Sequence, residues 1–193
     1  MSTHDRDTVN HGSARRWPVA LLAALTLALA ASATNAKPGD YNFGQPATQT
    51  EINAWNVDVS PDGDNLPQGS GSVSQGQQVF AANCSACHGA QGQGGPMDRL
   101  VGGVGTLNTD KPVKTIGSYW PYAATVVDYI RRTMPFNRPG TLTNDQVYAV
   151  TAYLLYLNGI ADKSAVMNAK TLARVKMPNQ ADFIRRDPRP DAP

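Results

Sequence analysis

The chain has 193 residues, of which 41% are hydrophobic, with a mean hydropathy of −0.36 and a formal net charge of +2. A nearly balanced charge gives no reason to expect a nucleic-acid partner, because such proteins carry a clear basic excess. The length suits one domain with extensions at its ends.

Residues 1–36 are typical of a secretory signal peptide. A pair of arginines precedes an apolar run from 19 to 31, and small residues follow that run. Such a leader is removed after export, and we expect cleavage after Ala36, with Ala33 as the second choice. An uncleaved anchor is the alternative, but the run is shorter than the roughly 20 residues that a membrane span needs. The leader therefore predicts a periplasmic protein without a stable membrane anchor.

Residues 37–73 predict an irregular arm, because Asp-Gly, Leu-Pro and Gly-Ser-Gly steps interrupt any regular pattern. The arm contains too many apolar residues for a pure linker. We therefore expect it to lie on the folded domain or on a partner. The apolar residues are Tyr41, Phe43, Ile52, Trp55, Val57 and Val59.

Residues 74–160 carry the clear helical patterns and are expected to form the folded domain. The first helix should extend from about Ser74 to about Asn83, with Phe80 on its buried side. Gly76 lies four residues before Phe80, and a glycine within a helix costs about 1 kcal/mol relative to alanine. Either a close helix crossing justifies this glycine, or it simply belongs to the helix start.

The sequence Cys84-Ser85-Ala86-Cys87-His88 follows this helix and is the attachment signature of c-type haem. The two thiols form thioethers with the porphyrin vinyl groups, and His88 supplies an axial nitrogen to the iron. Two residues between the cysteines let both sulfurs reach one macrocycle from a single turn. A thioredoxin-like dithiol is the alternative, but it expects a βαβ context. We therefore predict one covalent haem c bound at Cys84, Cys87 and His88.

A second helix is predicted between Pro121 and Pro135, after a glycine-rich loop over 89–117. Proline is favoured at a helix start, and it cannot continue the hydrogen-bond ladder inside a helix. Apolar residues recur between the two prolines at helical spacing. They are Ala123, Val126, Val127 and Ile130.

The third helix has a capping-box pattern at Thr143 and ends at Asn158-Gly159, which is typical of a helix C-terminus. Residues 161–193 are expected to be a C-terminal extension. It contains a weaker helical pattern over about 164–173, and its last residues are expected to be disordered. No segment shows sustained strand alternation, so the predicted fold class is all-α, with short helices around one flat prosthetic group.

His88 is the only histidine outside the predicted leader, since the other two are His4 and His11. This count excludes bis-histidine ligation within the chain, a zinc site of the Cys/His type and a catalytic triad. The distal ligand should be a methionine, because His/Met ligation is the usual arrangement of electron carriers.

Met134 is the predicted distal ligand. It follows a helix, precedes Pro135, and lies far enough from His88 for the chain to wrap around the ring. Met177 also precedes a proline and is the competing candidate. Met97 and Met167 are more typical of packing residues.

Further contacts around the haem are also predicted. The carbonyl of Pro96 is a candidate acceptor for the second imidazole nitrogen of His88. The candidate partners of the haem propionates are Trp120, Tyr122, Arg99 and Arg131. An ordinary packing or surface role is equally open for each of them.

The chain resembles the class I cytochromes c through its haem motif, its entry helix and its Met134-Pro135 pair. It resembles more narrowly the cytochrome subunit of the sulfur (sulfite) dehydrogenase of the Sox system, the SoxD-like family. The stretches that carry this resemblance are Trp55–Val59, Pro61–Gly63, Leu66-Pro67 and Gly69–Val73; Asp128–Arg132 and Met134–Asn137; Leu142-Thr143, Asp145 and Val147–Leu154; and Lys176–Asn179.

The resemblance implies a class I cytochrome c fold and a periplasmic acceptor of electrons, taken one at a time from a molybdenum-containing dehydrogenase subunit. A downstream cytochrome or oxidase would then receive them. Longer members of the family carry a second haem domain, so a monohaem variant is expected here. On this view the chain is an electron-transfer subunit without substrate chemistry of its own. The alternatives are a general diffusible carrier, or a haem enzyme such as a thiosulfate dehydrogenase or a peroxidase.

Overall fold

A computed structural model of the protein describes residues 44–183. The chain divides into two units, Met1–Thr48 and Gln49–Pro193, and every helix and strand described here belongs to the second. The predicted signal peptide and the end of the C-terminal extension lie outside the described residues.

The described part of the chain contains six helices and two short strands. In chain order they are α1 (Gln49–Trp55), β1 (Ser70–Ser72), α2 (Val73–Asn83), α3 (Ser85–His88), α4 (Ala123–Thr133), α5 (Asn144–Leu157), β2 (Val166–Asn168) and α6 (Ala169–Leu172). The three long helices are those predicted from the sequence. The predicted helical fold class is confirmed.

Capping boxes begin the two helices that form the main crossing. The Thr143 hydroxyl accepts a hydrogen bond from the Gln146 N–H, and the Gln146 side chain accepts one from the Thr143 N–H. Ser72 and Gln75 make the same pair of bonds at the start of α2. Each box satisfies two backbone groups that a helix end leaves without an intrahelical partner.

Two glycines allow α2 and β1 to approach α5 closely. A Cβ atom on Gly76 would overlap the carbonyl oxygen of Ala149, and one on Gly71 would overlap the backbone nitrogen of the same residue. Next to this contact the rings of Phe80 and Tyr153 pack with centroids 5.5 Å apart. The close helix crossing is therefore the reason for Gly76. Gly71 makes a similar close contact with Ala149, which no local sequence pattern indicates.

A two-stranded antiparallel sheet adds to the helices, with Gly71 of β1 opposite Met167 of β2. The weak helix expected over 164–173 is therefore right only for α6. The first half is instead a strand that pairs with β1. Its alternation between exposed Val166 and buried Met167 is too short to be recognised in the sequence. Asn168 ends the strand and caps α6 by accepting hydrogen bonds from two backbone N–H groups.

The hydrophobic core is centred on α2, α4 and α5 but also draws on both flanking segments. Val59 of the arm is buried, as are Met167, Leu172 and Met177 beyond residue 160. The arm is thus bound to the domain at Val59. Within residues 44–183 no helix is long and apolar enough to cross a membrane.

Candidate haem site

The haem motif folds as a single helical turn, α3, directly after α2. The Cys84 carbonyl accepts hydrogen bonds from the N–H groups of Cys87 (3.1 Å) and His88 (3.0 Å). Residues three apart on a helical turn lie on the same side, so this turn brings the two thiols together. Both cysteines are free; Cys84 is half-buried against the core, and Cys87 is exposed.

The half-buried thiol of Cys84 is held in its neutral form. Burial, followed by the nearby Cys87, raises the pKa of Cys84 to about 11. Both causes disfavour the thiolate of Cys84, because burial leaves its charge poorly solvated and the nearby Cys87 opposes it. A thioether has no proton to lose, so this pKa concerns the chain before haem attachment.

His88 is oriented by a backbone carbonyl. Its Nδ1 lies 2.7 Å from the carbonyl oxygen of Asp98. Since a carbonyl only accepts, Nδ1 carries the proton and donates it, which leaves the lone pair of Nε2 for a metal. The prediction that Pro96 supplies this carbonyl is wrong. The loop folds back through the bond from the Met97 N–H to the Cys87 carbonyl, and this turn places Asp98 beside the imidazole.

The loop after the motif packs directly on the motif backbone. The Gly94 N–H donates to the His88 carbonyl at 2.8 Å, and a Cβ atom on Gly95 would lie 2.8 Å from the Cys87 carbonyl oxygen. Gly89 leaves the turn with a φ of +83°, which favours glycine. The glycines of this loop therefore allow it to reach His88.

Asn158 ties this loop to the end of α5. Its Oδ1 accepts from the Gly102 N–H at 3.1 Å, and its Nδ2 donates to the carbonyls of Leu100 at 3.2 Å and Leu154 at 2.9 Å. The sequence predicted only that Asn158 ends the helix. Its side chain also anchors the loop that carries the partner of His88.

We expect Asn158→Ala to lower the free energy of unfolding of the holoprotein by about 2 kcal/mol, because three hydrogen bonds worth about 1 kcal/mol each are lost and water replaces some of them. Urea denaturation measures this loss. Asn179→Ala is the matched control, because Asn179 donates a single exposed hydrogen bond to the Tyr119 carbonyl. Equal losses in both variants would contradict the anchoring role of Asn158.

The structure assigns different surroundings to the four candidate methionines. Met167 and Met177 belong to the buried core, and Met97 is half exposed. Met134 directly follows α4, is partly buried against the core, and donates its N–H to the Ile130 carbonyl at 3.0 Å. The burial of Met177 indicates a packing role for this competitor, and Met134 stays the predicted ligand.

The four predicted propionate partners have different surroundings in the structure. Arg131 donates to the Val57 carbonyl of the arm, and the Trp120 ring packs edge-on against Tyr129. Arg99 is exposed and Tyr122 is half-buried just before α4. Contacts of these side chains with propionates stay predictions.

The donor set fits a covalent haem c. Among residues 44–183 no three His, Cys, Asp or Glu side chains converge where they could hold a metal ion. Instead, two thiols share one side of a turn, and the adjacent imidazole has Nε2 free. Cys84 and Cys87 would hold the haem covalently, and His88 would bind its iron.

We expect Cys87→Ala to keep haem bound through the single remaining thioether of Cys84. The pyridine haemochrome band should shift to longer wavelength, because one vinyl group stays unsaturated. The double variant, with both cysteines changed to alanine, should lose its haem to acidified acetone. Haem that resists extraction from the double variant would contradict covalent attachment at these two residues.

Comparison with known proteins gives the same assignment. The cytochrome c family model matches residues 73–158. A chain of the sulfane dehydrogenase SoxCD from Paracoccus pantotrophus is 44% identical and superposes with a TM-score of 0.71. This match covers 76% of the present chain and 73% of that chain.

Two curated relatives are more distant. A Cbb3-type cytochrome c oxidase subunit CcoP from Azospirillum sp. (strain B510) is 31% identical over 72% of this chain and 48% of its own length. A thiosulfate dehydrogenase from Psychrobacter arcticus is 27% identical over 64% of this chain and 40% of its own length. The chain thus spans less than half the length of these two relatives.

The family match, the likeness to the SoxCD chain and the helical fold around a Cys-x-x-Cys-His turn show that this protein belongs to the class I cytochromes c and is a Sox-like member of them.

Proposed function

We propose that this protein is a periplasmic monohaem cytochrome c that accepts electrons one at a time from a molybdenum-dependent sulfur or sulfite dehydrogenase. The observation that carries the electron-transfer role is the α3 turn, with its paired thiols and an imidazole oriented for metal binding. The 44% identity to a chain of SoxCD supports a partner in sulfur oxidation.

Haem c bound at this turn would supply a one-electron ferric–ferrous couple. On the proposed assignment His88 and Met134 would hold its iron, a pair of ligands that is typical of electron carriers. His88 would not serve as a general base, since its Nδ1 lies 2.7 Å from the Asp98 carbonyl oxygen and its Nε2 would bind the iron. The site therefore favours electron exchange over substrate chemistry.

The proposed compartment and downstream partner have separate support. The predicted leader supports export, and haem c is attached outside the cytoplasm. The similarity to an oxidase subunit of the Cbb3 type supports an oxidase or a second cytochrome as the downstream acceptor.

A second candidate function is oxidation of thiosulfate by this chain itself. Two proteins named thiosulfate dehydrogenase, from Psychrobacter arcticus and Stutzerimonas stutzeri, are 27% and 28% identical to it. This activity requires that substrate reach the iron, and hence that the distal ligand be absent or replaceable.

The two candidates differ in what reduces the purified ferric holoprotein. We expect sulfite or thiosulfate alone to leave it oxidised, and sulfite with catalytic amounts of a molybdenum-dependent sulfite dehydrogenase to reduce it. The same dehydrogenase prepared from tungstate-grown cells, which lacks molybdenum, is the control and should be inactive. The absorbance of the reduced haem measures the rate.

Rapid reduction by thiosulfate without any dehydrogenase would contradict the proposal and favour the enzyme. An unrelated class I cytochrome c reduced equally fast by the same dehydrogenase would instead indicate a general carrier.

A further inference from the structure

We propose that arm residues Val57–Val59 hold the last two turns of α4 through Asp128, and that this contact positions the sulfur of Met134. Asp128 is then a positioning residue for the iron site. The inference rests on the proposed role of Met134 as the distal ligand.

Asp128 is a buried carboxylate with defined partners. It is 9% exposed, and its Oδ1 accepts a hydrogen bond from the N–H of Val59 at 3.1 Å. The same oxygen accepts from Nε of Arg132 at 3.0 Å, and Oδ2 accepts from Nη2 of that residue. A buried charge is costly unless it is paired and hydrogen-bonded, and here both conditions are met. The carboxylate thus joins the arm to the side chain at the end of α4.

Two neighbouring contacts extend this connection along the arm. Arg131 donates from Nη1 to the Val57 carbonyl at 3.1 Å. Arg132 also lies 3.6 Å from the carboxylate of Asp58, whose side chain is 79% exposed. Such an exposed ion pair contributes little by itself, so the buried bond of Asp128 is expected to dominate.

The arm contacts a face of α4 that the core does not cover. Residues advance by about 100° along a helix, so Ala123, Val126, Val127 and Ile130 share one face. Asp128 and Arg132 lie roughly opposite, and Arg131 lies about 90° from the centre of the apolar face. The helix is therefore held from two sides, and the second side is the arm.

The position of Met134 depends directly on the last turn of α4. Its N–H donates to the Ile130 carbonyl in the last turn, and Arg132 precedes it by two residues. Helix ends fray unless their free groups are bound or packed. Release of the arm would allow the last turn to open, and the sulfur of Met134 would move with it.

The test compares two carboxylate-to-amide changes in the full-length holoprotein, Asp128→Asn and Asp58→Asn. Three signals are followed: the methionine-to-iron absorption band of the ferric protein, the midpoint potential, and the far-UV circular dichroism during heating. In Asp128→Asn the absorption band should disappear at a temperature below that of helix loss. Its midpoint potential should fall, and its ferrous form should bind carbon monoxide faster. Asp58→Asn should match the wild type.

A purely structural role predicts a different result. If Asp128→Asn loses the absorption band and the helix signal together, with an unchanged midpoint potential below the transition, the positioning role is wrong. If that variant does not fold, Arg131→Ala provides the comparison, because it removes the hydrogen bond to the Val57 carbonyl and leaves the buried carboxylate in place. Arg174→Ala, an exposed arginine on another segment, is its control.

Met134→Ala separates failure of this inference from failure of the ligand assignment. If Met134→Ala keeps the absorption band, Met134 is not the ligand. The ligand assignment and the positioning role of Asp128 then both fail. If Met134→Ala loses the band while Asp128→Asn behaves as the wild type, only the positioning role fails.

Discussion

Replacement of Met134 by alanine is expected to abolish the methionine-to-iron absorption band of the ferric protein and to lower the midpoint potential. Met134 lies at the end of α4, partly buried against the core, whereas Met177 is only 3% exposed within it. Loss of a thioether ligand disfavours the ferrous state, because His/Met ligation raises the potential of cytochromes c. Visible absorption and potentiometric titration measure the two effects.

Met177→Ala is the matched comparison for this ligand assignment. It should retain the absorption band but lower the free energy of unfolding by about 2–5 kcal/mol, the usual cost of truncating a buried methionine. Met97→Ala removes an exposed side chain and should change neither property. Loss of the band in Met177→Ala and its persistence in Met134→Ala would reverse the assignment.

Gly76→Ala is expected to lower the free energy of unfolding by about 2–3 kcal/mol, because the added methyl group overpacks the crossing of α2 and α5. That Cβ would overlap the carbonyl oxygen of Ala149 and lie 2.8 Å from the Cβ of Tyr153. Backbone atoms cannot rotate away, so the helices must separate. Urea denaturation of the holoprotein measures the loss.

The direction of this effect is itself informative, since glycine to alanine within an unhindered helix stabilises by about 1 kcal/mol. Gln77→Ala, at the next and exposed position of α2, is the control and should have little effect. A more stable Gly76→Ala protein would show that the crossing has room for a side chain.

The limits of the three long helices and the haem-attachment turn could be predicted because their signals are local. Pro121 and Pro135 bracket α4, and Thr143 with Gln146 begins α5, each within a few residues of the feature it specifies. Covalent attachment likewise needs only the spacing of Cys84 and Cys87. Such patterns are complete before any distant part of the chain is considered.

The arm contact on α4 was missed for the opposite reason. Asp128 lies on the side of α4 away from its apolar residues, and a lone carboxylate at such a position is typical of a solvated face. Its partner, the N–H of Val59, lies 69 residues away. Gly71 was likewise not recognised, because its contact with Ala149 joins a short strand to a helix far along the chain.

The amino-acid sequence alone was sufficient for the haem motif and for the fold class, and a methionine as the distal ligand stays a prediction from it. Tertiary structure decided which carbonyl orients His88, which faces of α4 are covered, and that Met177 is a core residue. The difference has one physical cause. Helical turns, caps and covalent spacing depend on neighbouring residues, whereas the surroundings of a side chain depend on which distant segments pack against it.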